Sequence, residues 1–344
     1  MSILPQPRTH YWIWFLWLTF FYGAWTWLVI GQGHWAAARE HWPMAVAMAV
    51  GSYAAGSTPM GGGTVGFPIL VLLFDQPAQL GRDFSFAVQS IGMTSASIFI
   101  LSRRQPLAWA MLKGAVLGAT FGTPLGIFLV APWIPALWIK IVFAVVWGSF
   151  GFLHLWRIRE IAGHEGMTEF DERWDHRVGF VVGLLSCGSL VAASGVGVDM
   201  VLYTVLVLLC RADLKIAIPT SVIIMAYSST VGIFTKMAFT GVESGVFENW
   251  LAAAPIVALG APLGVFVVEY IGRKPTLLVV AVLCVGQLLW TLVREKNELG
   301  VIGIGLSLGA VVVCLIGFDR LRAWGGVLVE ANLRRRGETP SSRC

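Results

Sequence analysis

The sequence contains few charged residues. Asp, Glu, Lys and Arg make up 12% of its 344 residues, whereas soluble domains have roughly a quarter. The shortage is concentrated in long stretches, and residues 11–31 and 84–102 contain no charge at all. Each is close to the ~20 apolar residues that a helix needs to cross the hydrocarbon core of a bilayer. The sequence therefore predicts an all-α polytopic membrane protein surrounded by lipid. Further apolar runs are 107–130, 137–156, 216–240, 250–268, 276–293 and 301–318.

Catalytic and cofactor-binding motifs are also missing. The sequence has no HExxH, Walker loop or GxSxG motif, and the histidines and acids of 157–177 lack the spacing of metal ligands. Its five cysteines form no CxxC pair, and we interpret them as small apolar residues. We therefore expect no enzyme, no metal, no cofactor and no nucleic-acid partner. We expect no cleavable signal, since the first apolar run is too long for a signal-peptide core. We interpret the basic C-terminal residues as a sign of cytoplasmic location: Arg334, Arg335, Arg336 and Arg343.

Two long apolar stretches do not fit a single helix. Residues 43–74 would form a helix of ~48 Å at 1.5 Å per residue, which is too long for the hydrocarbon core. Pro59 and the glycines that follow it interrupt this stretch at 57–63, and residues 178–210 are interrupted at 193–199. Irregular backbone at membrane depth is tolerated only where protein buries it or where it lines a wet cavity. Two interrupted helices in corresponding places are typical of a transporter's binding site.

The interrupted stretches belong to an internal repeat. At an offset of 136 residues Gly61 aligns with Gly197, and a Gly-x-Pro-Leu-Gly motif at 122–126 recurs at 260–264. In each repeat the interrupted stretch is followed by three long helices. Chance similarity between glycine-rich membrane helices is the alternative. We divide the chain into an N-terminal helix and loop (1–42), repeat 1 (43–156), a cytoplasmic linker (157–177), repeat 2 (178–293) and a last helix with a basic tail (294–344).

The distribution of Lys and Arg predicts how the two repeats are oriented. If each interrupted stretch is a re-entrant hairpin, which enters and leaves on one side, the 24 Lys and Arg divide 18 to 6 between the two sides. If each stretch crosses once, they divide 13 to 11. The positive-inside rule favours the hairpins. Each repeat then crosses an odd number of times, so the second is inverted relative to the first and both termini are cytoplasmic. Paired short crossings would give the same charge distribution, so that alternative stays open.

The tips of the hairpins are the predicted binding site. If they meet near the middle of the membrane, the free N–H groups and positive ends of their half-helices form an anion site without a fixed positive charge. Glycine lets the backbone come close, and hydroxyl groups supply further donors. The alternatives are that the glycines only permit close helix packing and that Ser85, Thr220 and Ser221 are N-caps of the next helices. The predicted substrate-binding residues are Ser57, Thr58, Gly61, Gly62, Gly63, Thr64, Ser85, Gln89, Ser194, Gly195, Gly197, Thr220 and Ser221.

Asp199 is an acidic residue inside an interrupted stretch, and an ionisable group at that depth indicates function. It is the candidate for coupling transport to a proton or a sodium ion. The alternative is that it caps the half-helix that follows it. We expect Arg82 and Asp83 to be solvated at an interface, Lys236 to extend its ammonium group to water, and His154 to be interfacial.

The first interrupted stretch resembles a known pattern, that of the sulfite exporter TauE/SafE family, also called the toluene-sulfonate uptake permease family. That pattern is an apolar run, a G-x-G-G-G turn, four residues, a proline, a second apolar run and a T-S start to the next helix. Here the first half reads PMGGGTVGFP at 59–68. It departs from the pattern in having Pro59 for the first glycine and Phe84-Ser85 in place of T-S.

The second half is similar to the same pattern. It reads GVGVD at 195–199, followed by Thr220-Ser221, with Asp199 in place of the last glycine and no later proline. The resemblance extends over both repeats. It implies transport of small sulfur-containing anions such as sulfite, sulfoacetate and other organosulfonates, with some members exporting and others importing. The departures, above all Asp199, leave the particular anion and the coupling ion open.

These features together predict a secondary transporter of the bacterial inner membrane. It would carry a sulfite-like or sulfonate anion past the hairpin tips by alternating access. Since the sequence has no ATP-binding motif, a gradient would supply the energy, with a proton or sodium ion as coupling ion; a homodimer is left open. A channel or carrier for another small anion or a neutral solute is the first alternative, and trans-stimulation separates a carrier from a static pore. A membrane scaffold or intramembrane enzyme is the second, but it gives the interrupted helices no role.

Overall fold

The computed structural model describes residues 9–168 and 170–336, and within them every regular element is helical. Nine of the helices are long and apolar enough to cross a membrane: α1, α5 to α8 and α10 to α13. The predicted all-α polytopic membrane fold is confirmed. Arg343, one of the basic C-terminal residues, lies outside the described part of the chain. The thirteen helices within it are α1 (Tyr11–Gly31), α2 (Trp35–Glu40), α3 (Trp42–Ser57), α4 (Gly63–Leu73), α5 (Ala78–Ser102), α6 (Trp109–Leu129), α7 (Ala136–Ile161), α8 (Glu172–Ser194), α9 (Val198–Leu208), α10 (Leu214–Thr240), α11 (Val246–Ile271), α12 (Arg273–Arg294) and α13 (Lys296–Arg336).

Helices α3 and α4 form the first hairpin, and residues 58–62 are the turn between them. The outer ends of its two arms line one cavity of about 480 Å³, with Met44 from the start of the hairpin and Phe74 from its finish. Both arms therefore open at the same end of the helical bundle. We call this the first-hairpin end.

Helices α8 and α9 form the second hairpin, and residues 195–197 are its turn. Backbone hydrogen bonds join the segments that enter and leave it: Thr168 N donates to Cys210 O at 3.0 Å, and Asp213 N donates to Gly166 O at 2.6 Å. Both arms of this hairpin also open together, at what we call the second-hairpin end.

The two hairpins open at opposite ends of the bundle. Helix α5 leaves the first-hairpin end directly after Gln76, which lines the cavity between the arms. Beyond its other end, Ala108 N donates a hydrogen bond to Thr220 Oγ1 in the early part of α10, at 3.1 Å. Helix α10 starts directly after the second hairpin, so α5 connects the two ends. Opposite openings are what an inverted repeat requires, and the inverted relation itself stays a prediction.

Each hairpin packs against a long helix from the other half of the chain, α8 on α6 and α3 on α11. A Cβ at Gly118 of α6 would overlap the carbonyl oxygen of Phe180, and a Cβ at Gly264 of α11 would overlap that of Tyr53. The two Gly-x-Pro-Leu-Gly motifs lie in these contacts. Because small residues let membrane helices approach to backbone contact, the packing interpretation holds for these glycines.

The helices that follow the hairpins begin earlier than expected. Ser85, Thr220 and Ser221 lie six or seven residues inside α5 and α10, so their interpretation as N-caps is wrong. Asp213 is the N-cap of α10, where its side chain accepts a hydrogen bond from Lys215 N at 2.8 Å. The three hydroxyls therefore lie within their helices and not at the helix ends.

Candidate functional site

The turns of the two hairpins meet in the interior of the protein. A Cβ at Gly63 would stand 2.5 Å from Val196 Cγ1 of the second turn and 2.6 Å from Ser85 Oγ on α5. A Cβ at Gly195 would overlap the carbonyl oxygen of Arg82 and stand 2.9 Å from Ser85 Cβ. Side chains do not fit at such separations, so both glycines are needed for contact. The two turns are pressed against each other and against the same part of α5.

The glycines of the two turns serve different purposes. Gly195 (φ +79°) and Gly197 (φ +117°) adopt left-handed backbone, in which a side chain would be strained. The glycines at 61–63 have no such φ, and close approach is what two of them provide. A Cβ at Gly61 would overlap Gln89 Oε1, whereas a Cβ at Gly62 would meet mainly the flexible end of a methionine, at 3.2 Å.

Gln89 joins the two turns from the middle of α5. Its Nε2 donates to Ser85 O at 2.8 Å and to Gly195 O at 3.0 Å. Its Oε1 lies against Gly61 and has no hydrogen-bond partner among the described residues. Because the side chain is 1% exposed, that oxygen is also shielded from solvent. Gln89 is thus the polar group that contacts both turns.

Asp199 lies in the first turn of α9 and is fully buried. Its Oδ1 accepts a hydrogen bond from Met200 N at 2.9 Å, as in the capping interpretation. The backbone N–H groups of Gly61 and Gly197 also face the carboxylate. Its Oδ2 has no hydrogen-bond partner of good geometry within the described chain. That oxygen stands 3.3 Å from the place of a Cβ at Gly61, the same place that Gln89 Oε1 occupies. Two acceptor oxygens, Asp199 Oδ2 and Gln89 Oε1, therefore lie close to Gly61, and neither has a hydrogen-bond partner of good geometry within the described chain.

Most of the predicted hydroxyl donors bond to carbonyl oxygens of their own helices. Thr64 differs, because its Oγ1 accepts a hydrogen bond from Trp147 Nε1 at 2.9 Å. Thr220 also accepts from the loop before α6 rather than from a hairpin turn. The donors and their acceptors are Ser57 to Tyr53, Thr58 to Ala54, Ser85 to Gly81, Ser194 to Leu190 and Val196, Thr220 to Ile216, and Ser221 to Ile218.

Six of the predicted residues contact one another, and others lie beside the turns or elsewhere. Gly61, Gly63, Ser85, Gln89, Gly195 and Asp199 contact one another where the turns meet. Gly62 faces α3 instead, and the contacts of Thr220 and Ser221 are with neighbouring helix and loop backbone. Ser57 and Thr58 end α3 beside the first turn, and Ser194 ends α8 beside the second.

Trp147 of α7 is a site residue that the sequence analysis missed. It is fully buried, it donates to Thr64 Oγ1, and a Cβ at Gly197 would stand 3.2 Å from its ring. Its ring stacks on Phe143 with centroids 4.2 Å apart. The tryptophans as a class suggest interfacial belts. Trp147 differs from the interfacial tryptophans because it lies in the middle of an apolar run, away from both ends. That position is the signal in the sequence.

The turns leave little room between them. A Cβ at Gly63 would already stand 2.5 Å from Val196 Cγ1 of the second turn, and a Cβ at Gly61 would overlap Gln89 Oε1. An anion as large as sulfite does not fit there without movement of a hairpin. The structure therefore holds the turns in a closed arrangement.

The expectation that Arg82 and Asp83 are solvated is wrong, and so is the expectation that Lys236 reaches water. Asp83 is fully buried, and the side chains of Arg82 and Lys236 are 7% and 9% exposed. Asp83 Oδ1 accepts from Arg82 Nε and its Oδ2 from Lys236 Nζ, each at 3.0 Å. Glu243 N donates to Oδ2 as well, at 3.1 Å. Mutual pairing lets these charges stay inside the protein.

His154 is buried rather than interfacial. Its Nδ1 lies 2.9 Å from Phe150 O and its Nε2 lies 3.0 Å from the hydroxyl of Tyr203. A neutral imidazole that donates through Nδ1 and accepts through Nε2 satisfies both contacts. Within residues 9–168 and 170–336 there is no cluster of three or more His, Cys, Asp or Glu suited to a metal ion.

Fold and site together define a class of protein: a helical membrane protein in which two glycine-turned hairpins meet at the middle of a long helix. The family model described as sulfite exporter TauE/SafE matches residues 44–291. The chain belongs to this family, whose members are membrane transporters of sulfite or related anions, and the resemblance drawn from the glycine turns is confirmed. No curated protein and no solved structure matches the chain.

Proposed function

We propose that the protein is a secondary transporter of a small sulfur-containing anion, sulfite or an organosulfonate such as sulfoacetate. The observation that carries the proposal is the meeting of the two glycine turns at Gln89, near the middle of α5. Hairpins that open at opposite ends give the meeting point two routes out. Movement of one hairpin at a time would expose it alternately to the two sides of the membrane.

The anion would bind to backbone N–H groups at this point. Helices α4 and α9 both begin there, each eleven residues long. The first N–H groups of a helix lack partners within it, and its N-terminal end is partially positive. Glycine at 61, 63 and 195 lets an oxyanion come close to the backbone. The close contact of the two turns, at Gly63 and Val196, favours a carrier over a static pore.

Asp199 is proposed as the coupling residue. As a carboxylate it already faces the N–H groups that an anion would use, and it would repel the anion. A proton on Oδ2 removes the charge and can be donated to Gln89 Oε1, which lacks a partner among the described residues. Binding of an anion together with a proton is the simplest consequence, and a sodium ion between the two oxygens is the alternative.

The charge distribution supports an orientation in the bacterial inner membrane. In the hairpin arrangement, 6 of the 24 Lys and Arg lie on the less basic side. Four of these lie at the first-hairpin end: Arg82, Lys140, Lys236 and Arg294. The second-hairpin end carries basic residues from the group of 18, and it would face the cytoplasm. His10 N donates to Ser102 O, so the start of α1 lies at the second-hairpin end, which supports a cytoplasmic N-terminal side.

Flux measurements test this proposal. Purified protein in liposomes is expected to take up labelled sulfite or sulfoacetate, and unlabelled anion on the opposite side should accelerate that uptake. Acceleration of this kind is typical of a carrier, because a loaded site returns faster than an empty one. Absence of flux with every sulfur oxyanion tested would contradict the proposed substrate class, and flux without acceleration would indicate a channel.

A further inference from the structure

A buried cluster of charges lies beside the glycine turns. It consists of Arg82 and Asp83 on α5 and Lys236 on α10, and we call it the charge triad. Asp83 pairs with both cations, so the triad carries a net charge of +1. Exposed ion pairs on a protein surface need no special explanation. A net cationic group that is more than nine-tenths buried in a membrane protein does, because buried charge is costly.

The guanidinium of Arg82 makes fewer hydrogen bonds than it can donate. Its Nε donates to Asp83 Oδ1, but its two terminal nitrogens donate no hydrogen bond within the described residues. A planar guanidinium presents its terminal nitrogens as a fork that matches the spacing of two oxygens in an oxyanion. The two terminal nitrogens of Arg82 are therefore available to an anion, since they donate to no protein group in the described chain.

The triad lies next to the meeting point of the turns. The carbonyl oxygen of Arg82 lies against Gly195, and Arg82 precedes Ser85 by one helical turn on α5. Side chains in a helix tilt toward its N-terminus, which for α5 is the first-hairpin end. The guanidinium is thus on the side of the turns that faces the opening of the first hairpin.

The triad has no counterpart in the other repeat. At the offset of 136 residues, Arg82 and Asp83 correspond to Ile218 and Pro219. A feature needed only to hold the repeated fold together would be expected in both halves. Its presence in one half indicates a task specific to one side of the membrane.

We propose that Arg82 and Lys236, held in place by Asp83, bind the oxyanion between the first-hairpin opening and the glycine turns. Arg82 supplies the two-pronged contact, Lys236 adds positive charge, and Asp83 orients both cations without neutralising them fully. The inference rests on the proposed transport of a sulfur oxyanion. In this proposal, Arg82 and Lys236 determine how tightly the anion binds from the first-hairpin side. The backbone N–H groups of the turns alone would not determine that affinity.

Arg82→Gln tests the role of the guanidinium, and Arg39→Gln is the matched control. Arg39 is exposed on α2 at the same end, so its loss changes net charge equally without touching the triad. In proteoliposomes, Arg82→Gln should raise the KM for sulfite or sulfoacetate by about tenfold or more, since a charged contact is lost. Its maximal rate should change far less, and Arg39→Gln should leave both parameters at wild-type values. Arg82→Lys, which keeps the charge but not the fork, should fall between.

A second readout separates binding from folding. Sulfite or sulfoacetate should raise the melting temperature of the wild-type protein in detergent, and it should raise that of Arg82→Gln much less. If Arg82→Gln does not fold, Lys236→Gln takes its place with the same expectation. In that variant Asp83 is still paired with Arg82. A folded variant with wild-type KM and wild-type stabilisation by the anion would overturn the inference. Absence of flux by the wild-type protein would instead refute the proposed function.

Discussion

Adjacent glycines in the first turn differ in what a methyl group would meet. At Gly63 it would press on the second hairpin and on Ser85, and at Gly62 it would meet a flexible methionine end. Gly63→Ala is therefore expected to lower anion uptake by on the order of tenfold or more, because a displacement near 1 Å is enough to disrupt a binding geometry. Gly62→Ala is the matched control and should transport like the wild type. Equal uptake by both variants, at equal expression, would show that contact between the turns is not required.

Asp199→Asn separates coupling from binding. The amide has nearly the shape of the carboxyl group but cannot exchange a proton, so a pH gradient should no longer drive accumulation of sulfoacetate. Exchange of labelled for unlabelled anion should persist, because it needs no net proton movement. In the wild type, acid on the side of uptake should raise accumulation, since protonation removes the charge that competes with the anion.

Asp171→Asn is the control for this prediction. Asp171 is exposed at the second-hairpin end, and its loss should leave the pH dependence intact. A sulfonate is the preferred substrate for the test because the group stays ionised throughout the range used. Accumulation by Asp199→Asn that still follows the pH gradient would rule out Asp199 as the proton carrier.

Individual site residues were predictable to different degrees. Gly61, Gly195 and Asp199 stand out in the sequence because glycine runs and a lone acid are unusual within apolar stretches. Trp147 and Arg82 do not, since their roles come from contacts with residues distant in the chain. Trp147 bonds to a threonine 83 positions away, and no local pattern encodes that contact.

Close packing of α6 on α8 is expected to determine stability. Gly118→Ala would place a methyl group against the backbone of α8, and overpacking of this kind costs about 1–3 kcal/mol. Gly286→Ala on α12 is the control, because a Cβ there meets nothing within 4 Å. The melting temperature in detergent should fall for the first variant and stay near that of wild type for the second. Equal melting temperatures would mean that α6 and α8 can move apart to accept the methyl group without loss of stability.

Charged residues misled the assignment of helix ends. Composition predicts a solvated boundary at Arg82 and Asp83, but their pairing allows α5 to begin before them. The apolar run 301–318 predicts a helix end near 318, yet α13, which is kinked at Gly300, runs to Arg336. Asp319 of its extension pairs with Arg157 of α7 at 3.0 Å. When charged residues pair with distant segments, a helix can include residues at which composition alone predicts its end.

The arrangement of the whole molecule predicts which loops are accessible from each side. Gln76 borders the opening of the first hairpin and Asp171 the start of the second. In a cysteine-free background, a membrane-impermeant maleimide should label Gln76→Cys in intact cells. It should label Asp171→Cys only after the membrane is permeabilised. Labelling of both from one side would contradict hairpins that enter from opposite sides.

The overall architecture followed from simple signals. Uncharged runs predicted the membrane helices, and the two interruptions predicted the hairpins, because length and helix-breaking residues are local properties. The contact of each hairpin with a helix of the other repeat was not predictable in this way. It depends on which glycine rows face each other, such as Gly118 against α8, and this is settled only when the chain is folded.

The most direct test of the central claim is to locate the anion itself. Selenite has the shape and charge of sulfite, and its selenium atom gives an anomalous diffraction signal. Crystals grown with selenite should show a selenium peak between the two glycine turns, within about 4 Å of the backbone nitrogens near Gly61 and Val198. A selenium peak in the membrane-spanning region that lies neither between the turns nor beside Arg82 and Lys236 would contradict it.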